Sequence, residues 1–465
     1  MRAMLHLPNY VITQHMGEGP NASVYKGFSG ERVKRPCLIK QFHLTNPSVS
    51  NIARTKQIYK NLQKLSSPGV LEIYEVLEQP EGLVLVFEDI PLFTLQSLLA
   101  AAGPISLHLF FQISIPLAAT LQELHQHHIV HGSIKPANIL IHPDTYQPKL
   151  WDFGIFSLIH PSINFFDPHF LTASLPYMSP EQSGRLHRTA DYRTDLYSLG
   201  ITFYEMLAGK PPFESSDPLE IIHSHLARNP KPLSAISANV PQLVSDIVLK
   251  LLAKEPASRY QSGRGVWSDL ANCQHQFCRD EAILPFKLGQ YDQADKFLIS
   301  QRLYGRDQEI KRLHRAVKSL NTCAKEIILV TGEAGVGKSA LVNEINSQVI
   351  RQQGYFAAGN YEQLTRNKAY SGILQAVRHL VQQILSEGEE QVADWKRRFD
   401  LALGRNASVL IDLAPEIGQL LPAPAKSEPS VSVNPNRLNL LFEQFIGVFA
   451  AKGARWSSFL TIYNG

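Results

Sequence analysis

The sequence predicts a two-lobed α+β domain followed by an incomplete α/β domain. Three observations carry this. Residues 10–90 are dominated by short β-rich runs, the residues after Ile90 switch to long helical patterns, and near Leu303 an apolar run, a glycine-rich loop and a helix follow one another in a fresh alternation. The length of 465 residues is also too great for one ordinary core; at roughly 150 residues per domain it gives two or three.

The elements follow in order. Residues 10–44 and 70–90 hold β-rich runs such as Cys37-Leu38-Ile39-Lys40 and Leu83-Val84-Leu85-Val86-Phe87, separated by turns bearing Gly and Pro. Between them Ile52 to Leu65 reads as a helix, because Ile58, Leu62 and Leu65 fall on one face. Leu107–Gln126 and Thr194–Ala208 are the notable helical stretches of the larger lobe. Residues 273–300 have mixed polarity without a clear period and are expected to be a linker. The boundaries expected are therefore 10–272, a linker at 273–300, and a last domain at 301–465.

Composition narrows the function classes. Hydrophobic residues make up 44% and charged residues 18%, which argues against global disorder. Lys plus Arg exceed Asp plus Glu by 45 to 41, a net +4 with no long basic run, so neither a nucleic-acid nor a membrane-surface role is supported. Met1 to Tyr10 lacks the pattern of a signal peptide, and no window approaches the ~18 apolar residues of a membrane span. Four cysteines do not make a disulfide scaffold. The expectation is a soluble, cytoplasmic, multidomain protein. His125, His127 and His128 cluster, but they follow a helical run and read as surface or structural histidines. Cys273 and Cys278 flank His275 without a fourth ligand nearby, and read as free thiols rather than a zinc site.

Gly332-Glu333-Ala334-Gly335-Val336-Gly337-Lys338-Ser339 is a G-x-x-x-x-G-K-S loop. A buried-strand run, Ile327-Ile328-Leu329-Val330, precedes it, and a helical pattern from Ala340 to Gln353 follows. Gly332, Gly335 and Gly337 let backbone N–H groups turn inward to phosphate oxygens, while the helix start adds its positive dipole end. Lys338 then reaches the β- and γ-phosphates, and the Ser339 hydroxyl ligates Mg²⁺. Nucleotide hydrolysis also needs an acid at the end of a second strand. Val409-Leu410-Ile411-Asp412 is the only downstream apolar run ending in Asp; it is short, leads into Pro415 and reads as structural. After the helix-like Phe442–Ala451 too few strands remain, so the domain looks incomplete.

The first segment holds a second ordered set. Gly17-Glu18-Gly19-Pro20-Asn21-Ala22-Ser23-Val24 approximates G-x-G-x-x-G-x-V, with Ala22 at the third glycine. Lys40 ends a strand, and His131-Gly132-Ser133-Ile134-Lys135-Pro136-Ala137-Asn138, Asp152-Phe153-Gly154 and Ser179-Pro180-Glu181 follow, with Asp195 and Arg259 after them. At these residues the sequence resembles the Hanks-type serine/threonine protein kinases over about residues 10–272. The resemblance implies a bilobal kinase fold with ATP in the cleft: Gly17, Gly19, Val24 and Lys40 on the nucleotide, Asn138 and Asp152 on Mg²⁺, Lys135 on the γ-phosphate, and Glu181 with Arg259 as a structural ion pair, Asp195 completing the structural set. A protein substrate or downstream signalling partner is implied with it.

The departures bear on activity. Ser133 stands where the family has the Asp that accepts the substrate hydroxyl proton, and a serine hydroxyl is not basic near neutral pH. General-base catalysis is worth ~10²–10⁴-fold, so a loss on that scale is expected. Gly132 replaces the neighbouring basic residue. Counting back from Pro68, the helix glutamate that should pair with Lys40 falls at Ile58, flanked by Gln57 and Tyr59. Retained MgATP binding with weak or absent phosphoryl transfer is the preferred reading. An active kinase working through a neighbouring carboxylate, a water or the substrate phosphate stays open, as does a nucleotide-dependent switch scaffold centred on Lys338 and Ser339.

Leu303-Tyr304-Gly305-Arg306-Asp307 together with the phosphate loop resembles the start of the STAND/AAA-like ATPase domain of large bacterial hybrid sensor kinases, where a kinase domain comes first. In that family the domain continues to a Walker B strand reading Leu-Asp-Asp-Leu-Gln-Trp. Here the tail reads Ser458-Phe459-Leu460-Thr461-Ile462-Tyr463-Asn464-Gly465, and codons exist for Leu460 onward that give Asp-Asp-Leu-Gln-Trp when read one nucleotide earlier. The expectation is a frameshift near Lys452–Arg455 that truncates the domain before Walker B, leaving the terminal residues without selected structure and the domain poorly packed.

Overall fold

The structure, a computed structural model, describes residues 7, 9–18, 22–30, 34–42, 49–65, 67–79, 82–153, 174–183, 190–215, 217–280, 282–293, 305–319, 328–333, 336–351, 355–361, 370–385, 389–404, 409–411, 417–418, 420, 435–450, 457–459 and 462–463. The chain divides into two units. The first holds residues 1–182, 189–214 and 229–298; the second holds 183–188, 215–228 and 299–465.

The first unit opens with β1 (Tyr10–Glu18), β2 (Ala22–Ser29) and β3 (Arg35–Phe42), then helix α1 (Val49–Leu65), then β4 (Ile73–Gln79) and β5 (Gly82–Glu88). The five strands form one antiparallel sheet in the order β1-β2-β3-β5-β4. In the central strands β3 and β5 the period-2 alternation buries both faces. Cys37, Ile39, Val84 and Val86 join Leu7 in one small cluster, while Phe42, Leu83, Leu85 and Phe87 point the other way, into the main core. Lys40 lies opposite Leu85 and Val24 in the ladder, between Ile39 and Gln41, so the pleat turns it to the face of Phe42 and Leu85.

A three-stranded sheet, β6 (Phe93–Thr94), β7 (Ile139–Ile141) and β8 (Pro148–Leu150), follows, with α2 (Leu95–Ala102) and α3 (Leu107–Gln126) between β6 and β7. Thr94 caps α2 by accepting from the Ser97 amide, and Ser106 caps α3 by accepting from that of Leu109. Helix α4 (Arg193–Ala208) is buried all round, including Asp195, which marks it as the axis of the helical lobe. Helix α5 (Pro218–Ala227) belongs to the second unit; α6 (Gln242–Leu251) and α7 (Gly263–Asp280) complete the first.

The segment expected as a linker is folded over much of its length. Helix α7 runs through Cys273, which is fully buried, to Asp280, and Ile283, Phe286 and Leu288 pack against the main core. Asp292 accepts hydrogen bonds from the Gln261 amide and the Ser262 hydroxyl, and the Gly289 amide donates to Asp269. Long-range polar contacts hold residues 282–292 where periodicity gives no sign of order.

The second unit adds α8 (Asp307–Ser319), α9 (Lys338–Arg351), α10 (Ser371–Leu385), α11 (Glu389–Leu403) and α12 (Pro435–Ala450). Four short strands pair in parallel: β9 (Tyr355–Ala357) with β11 (Ser457–Phe459), and β10 (Asn360–Tyr361) with β12 (Ile462–Tyr463). Residues 457–459 and 462–463 thus form strand ladders, where the expectation was of no selected structure. Nor is the unit poorly packed: α10, α11 and α12 enclose a core containing Trp395, Phe399, Phe445 and Phe449, with Phe399 stacked on Phe445 at 4.8 Å. One other reading is corrected. Ile328–Val330 form no strand, and Leu329 is 86% exposed, because no described strand offers them a ladder to bury against. Val409–Ile411 is helical, with Leu410 in the core; Asp412 and Ile327 lie outside the described residues.

Candidate functional site

The site is built around four short segments of the first unit. Strand β3 delivers Lys40, which is buried; its ammonium is bonded to the Asp152 carboxylate and lies 5.1 Å from the Phe42 ring and 5.3 Å from that of Trp151. Val24, half-buried on β2, pairs with both Gly17 and Lys40 in the ladder. Gly17 is open, with nothing near a would-be Cβ, while Gly19 and Gly154 lie outside the described residues.

Asp195, fully buried at the start of α4, shapes the loop before β7. Its carboxylate accepts from the amides of His131 (2.8 Å) and Gly132 (2.7 Å) and is bonded to His125 Nε2 (2.9 Å). Gly132 sits at φ 73°, a conformation that glycine adopts without steric cost, which brings its amide onto that carboxylate. His125, taken from sequence as surface or structural, is thus structural. His131 stacks on Phe153 at 4.4 Å, and burial pushes its imidazole below the usual range, keeping it neutral.

Within this loop Asn138 is buried and its amide nitrogen donates to the Ser133 carbonyl (2.8 Å) and hydroxyl oxygen (3.0 Å). Lys135 donates to the Ser174 hydroxyl at 2.9 Å, and burial lowers its affinity for a proton. Asp152 takes φ 57°, in the left-handed region that Asp tolerates better than most residues. With the Asn138 nitrogen spent on Ser133, its amide oxygen and the Asp152 carboxylate are the groups left for a cation. Two hard oxygen donors suit Mg²⁺, and Lys40 beside them suits a phosphate.

Sequence counting leaves Lys40 without a helix carboxylate because Ile58 holds that position. The helix carries the point further: Val49–Leu65 contains no Asp or Glu at all, so no register supplies one. Ile58 packs against the apolar core instead, and Tyr59, 1% exposed, donates its hydroxyl to the Phe153 carbonyl at 3.2 Å. Tyr59 and Ser174 are the site neighbours that sequence reasoning missed; Tyr59 was seen only as a non-acidic flank.

Farther off, Arg259 makes a two-pronged pair with Glu181 at 2.7 and 2.8 Å, both side chains being almost fully buried. Burial opposes the Glu181 charge, but the Arg259 donors and charge outweigh it and hold the carboxyl below its usual range. Cys273 is buried, its thiol pushed up to about 12 by burial, and Cys278 is exposed. Among the described residues no group of His, Cys, Asp and Glu is arranged to hold a metal, and no helix is long and apolar enough to cross a membrane.

In the second unit Lys338, at the start of α9, folds back to donate to the carbonyls of Gly332 (2.8 Å) and Glu333 (2.9 Å). Gly337 stands at φ 90°, and a Cβ on Gly332 would lie 2.9 Å from Val336. Gly335 lies outside the described residues, and of Ser339 the structure gives only its place in the first turn of α9.

Comparison with known proteins agrees with this geometry. The protein kinase domain family matches residues 10–274, and the AAA ATPase domain family matches residues 302–460. The chain is 36% identical over 309 residues to hybrid signal transduction histidine kinase G of Dictyostelium discoideum, covering 61% of this chain and 9% of that protein. It is 30% identical over 263 residues to a probable serine/threonine-protein kinase of Clostridium perfringens, covering 56% of this chain and 38% of the relative. It is 33% identical over 222 residues to the serine/threonine-protein kinase PknB of Mycolicibacterium smegmatis, covering 47% and 35%. The chain thus spans well under half the length of each of these relatives. A five-stranded sheet with one helix, a helical lobe around α4, the Lys40–Asp152 ion pair and the match over residues 10–274 make the chain a member of the protein kinase domain family, with an AAA ATPase domain following it in the chain.

Proposed function

We propose that this chain is an ATP-binding signalling protein whose kinase domain, at about residues 10–272, holds MgATP but transfers its phosphoryl group weakly or not at all, and so regulates the attached P-loop module at about 301–465. In this reading Gly17, Gly19, Val24 and Lys40 grip the nucleotide, Asn138 and Asp152 hold Mg²⁺, and Lys135 meets the γ-phosphate. The second nucleotide seat is Gly332, Gly335, Gly337, Lys338 and Ser339. The partner is a downstream signalling protein, and the compartment is the cytoplasm.

The observation that carries the reading is the pairing at Ser133. Its hydroxyl oxygen accepts from Asn138 at 3.0 Å, in the loop where the family places a proton-accepting carboxylate. The Lys40–Asp152 pair and the buried Asn138 support retained binding of a metal-chelated nucleotide in this reading, so binding outlasts the loss of the base.

A thermal-shift titration tests binding, since a ligand at 100 times its Kd stabilises by about 2.7 kcal/mol. MgATP is expected to raise the melting transition of the first unit in the wild type and in Lys338→Ala, and to lose that rise in Lys40→Ala. Transfer of label from γ-labelled ATP to a generic protein acceptor then separates the readings. Robust transfer that Asp152→Ala abolishes would establish an active kinase with a protein substrate; a shift lost only in Lys338→Ala would favour the switch scaffold.

A further inference from the structure

We infer that Tyr59 is a positioning residue that ties α1 to the Asp152–Phe153 turn, in place of the ion pair that helix α1 has no acid to make. The inference rests on the reading of the cleft as a magnesium–nucleotide site, and it names how that site is regulated.

Three observations converge on it. First, α1 contains no carboxylate, so Lys40 turns to Asp152 and no ion pair joins α1 to β3. Second, the Tyr59 hydroxyl donates to the Phe153 carbonyl at 3.2 Å, one residue from the carboxylate that would hold the metal. Third, its ring is fixed on two sides, edge-on to Phe87 of β5 at 6.5 Å and to Phe153 at 6.4 Å. A buried hydroxyl without a partner is costly, so the bond is directional and the helix cannot shift without breaking it. Because Tyr59 and Phe153 share this bond and a ring edge, displacement of α1 drags the Asp152 backbone with it. Burial, with the Asp152 charge adding, pushes the Tyr59 phenol far above its usual range, so the tie stays neutral across the physiological span.

The test is Tyr59→Phe in the full chain, which keeps the ring and its packing and removes only the hydroxyl. Hydrogen exchange without nucleotide is expected to quicken in the peptides covering residues 56–65 and 148–153; unchanged exchange in both would overturn the inference. Calorimetry adds a readout that a merely structural role does not move. Affinity for ATP in the presence of Mg²⁺ should fall about three- to ten-fold, as for one lost hydrogen bond, while affinity for ATP with EDTA stays level. Equal losses in both arms would overturn it. Should the wild type bind no nucleotide, the functional reading fails, and the exchange comparison still decides the role of Tyr59. In the unaltered chain, saturating MgATP should slow exchange in residues 56–65; binding without that slowing would also refute the tie.

Discussion

Asn138 directs its side-chain nitrogen to two oxygens of Ser133, so position 133 is already wired into the loop before β7. An aspartate there can accept the same donor and supply a proton-accepting carboxylate. Ser133→Asp is expected to raise phosphotransfer by ~10²-fold, the lower end of what a general base contributes. A radiolabel assay checks this, and no gain would place the deficit elsewhere. Glu181 makes a second prediction. Its folded pKa lies below the unfolded value, so its pairing with Arg259 stabilises fully above the usual carboxylate range and is lost as pH falls through the folded value. Glu181→Gln leaves a buried guanidinium uncompensated and should cost about 3–5 kcal/mol at pH 7 in urea unfolding, with the gap to wild type closing below about pH 4. The ordered set of charged residues made both positions readable from sequence. Tyr59 was not readable, because its importance lies in a hydroxyl meeting a carbonyl 94 residues away.

Between elements, α7 lies backbone-close to α3 at one glycine. A Cβ on Gly263 would lie 2.7 Å from both the Ala118 carbonyl and the Gln122 amide nitrogen, backbone atoms that cannot swing aside. Gly263→Ala is expected to cost about 1–3 kcal/mol through overpacking, measured by the denaturation midpoint of the first unit. Helical elements were the most legible. The apolar spacing placed a helix at Ile52–Leu65 where α1 spans Val49–Leu65, and marked Leu107–Gln126 with the bounds α3 shows. Strands of the second unit were the least legible. The run at 327–330 is apolar enough for a buried strand, yet a strand exists only through its partners, and the described ladders are made by 355–361 with 457–463. The segment 282–292 failed to read for a similar reason: Asp292 earns its place by contacts to Gln261 and Ser262, about thirty residues back.

For the whole molecule, two units, each with a large apolar core of its own, predict two unfolding transitions. In calorimetric scans MgATP should raise the transition belonging to the first unit in both wild type and Lys338→Ala. A chain ending at residue 274, the limit of the family match, should melt its first unit below one ending at 293, because Asp292 and the packing of Ile283, Phe286 and Leu288 are removed. Equal melting temperatures would show that segment to be dispensable.

The bond between Lys40 and Asp152 has a consequence for the order in which guests arrive. At rest the two charges quench each other, so the cleft offers little attraction to a lone anion or a lone cation. A triphosphate alone would strand the carboxylate; a cation alone would strand the ammonium. Only the two together replace what is broken, so each should sharpen the hold on the other, and titrating ATP at rising magnesium should reveal that mutual recruitment as a steadily falling half-saturation point.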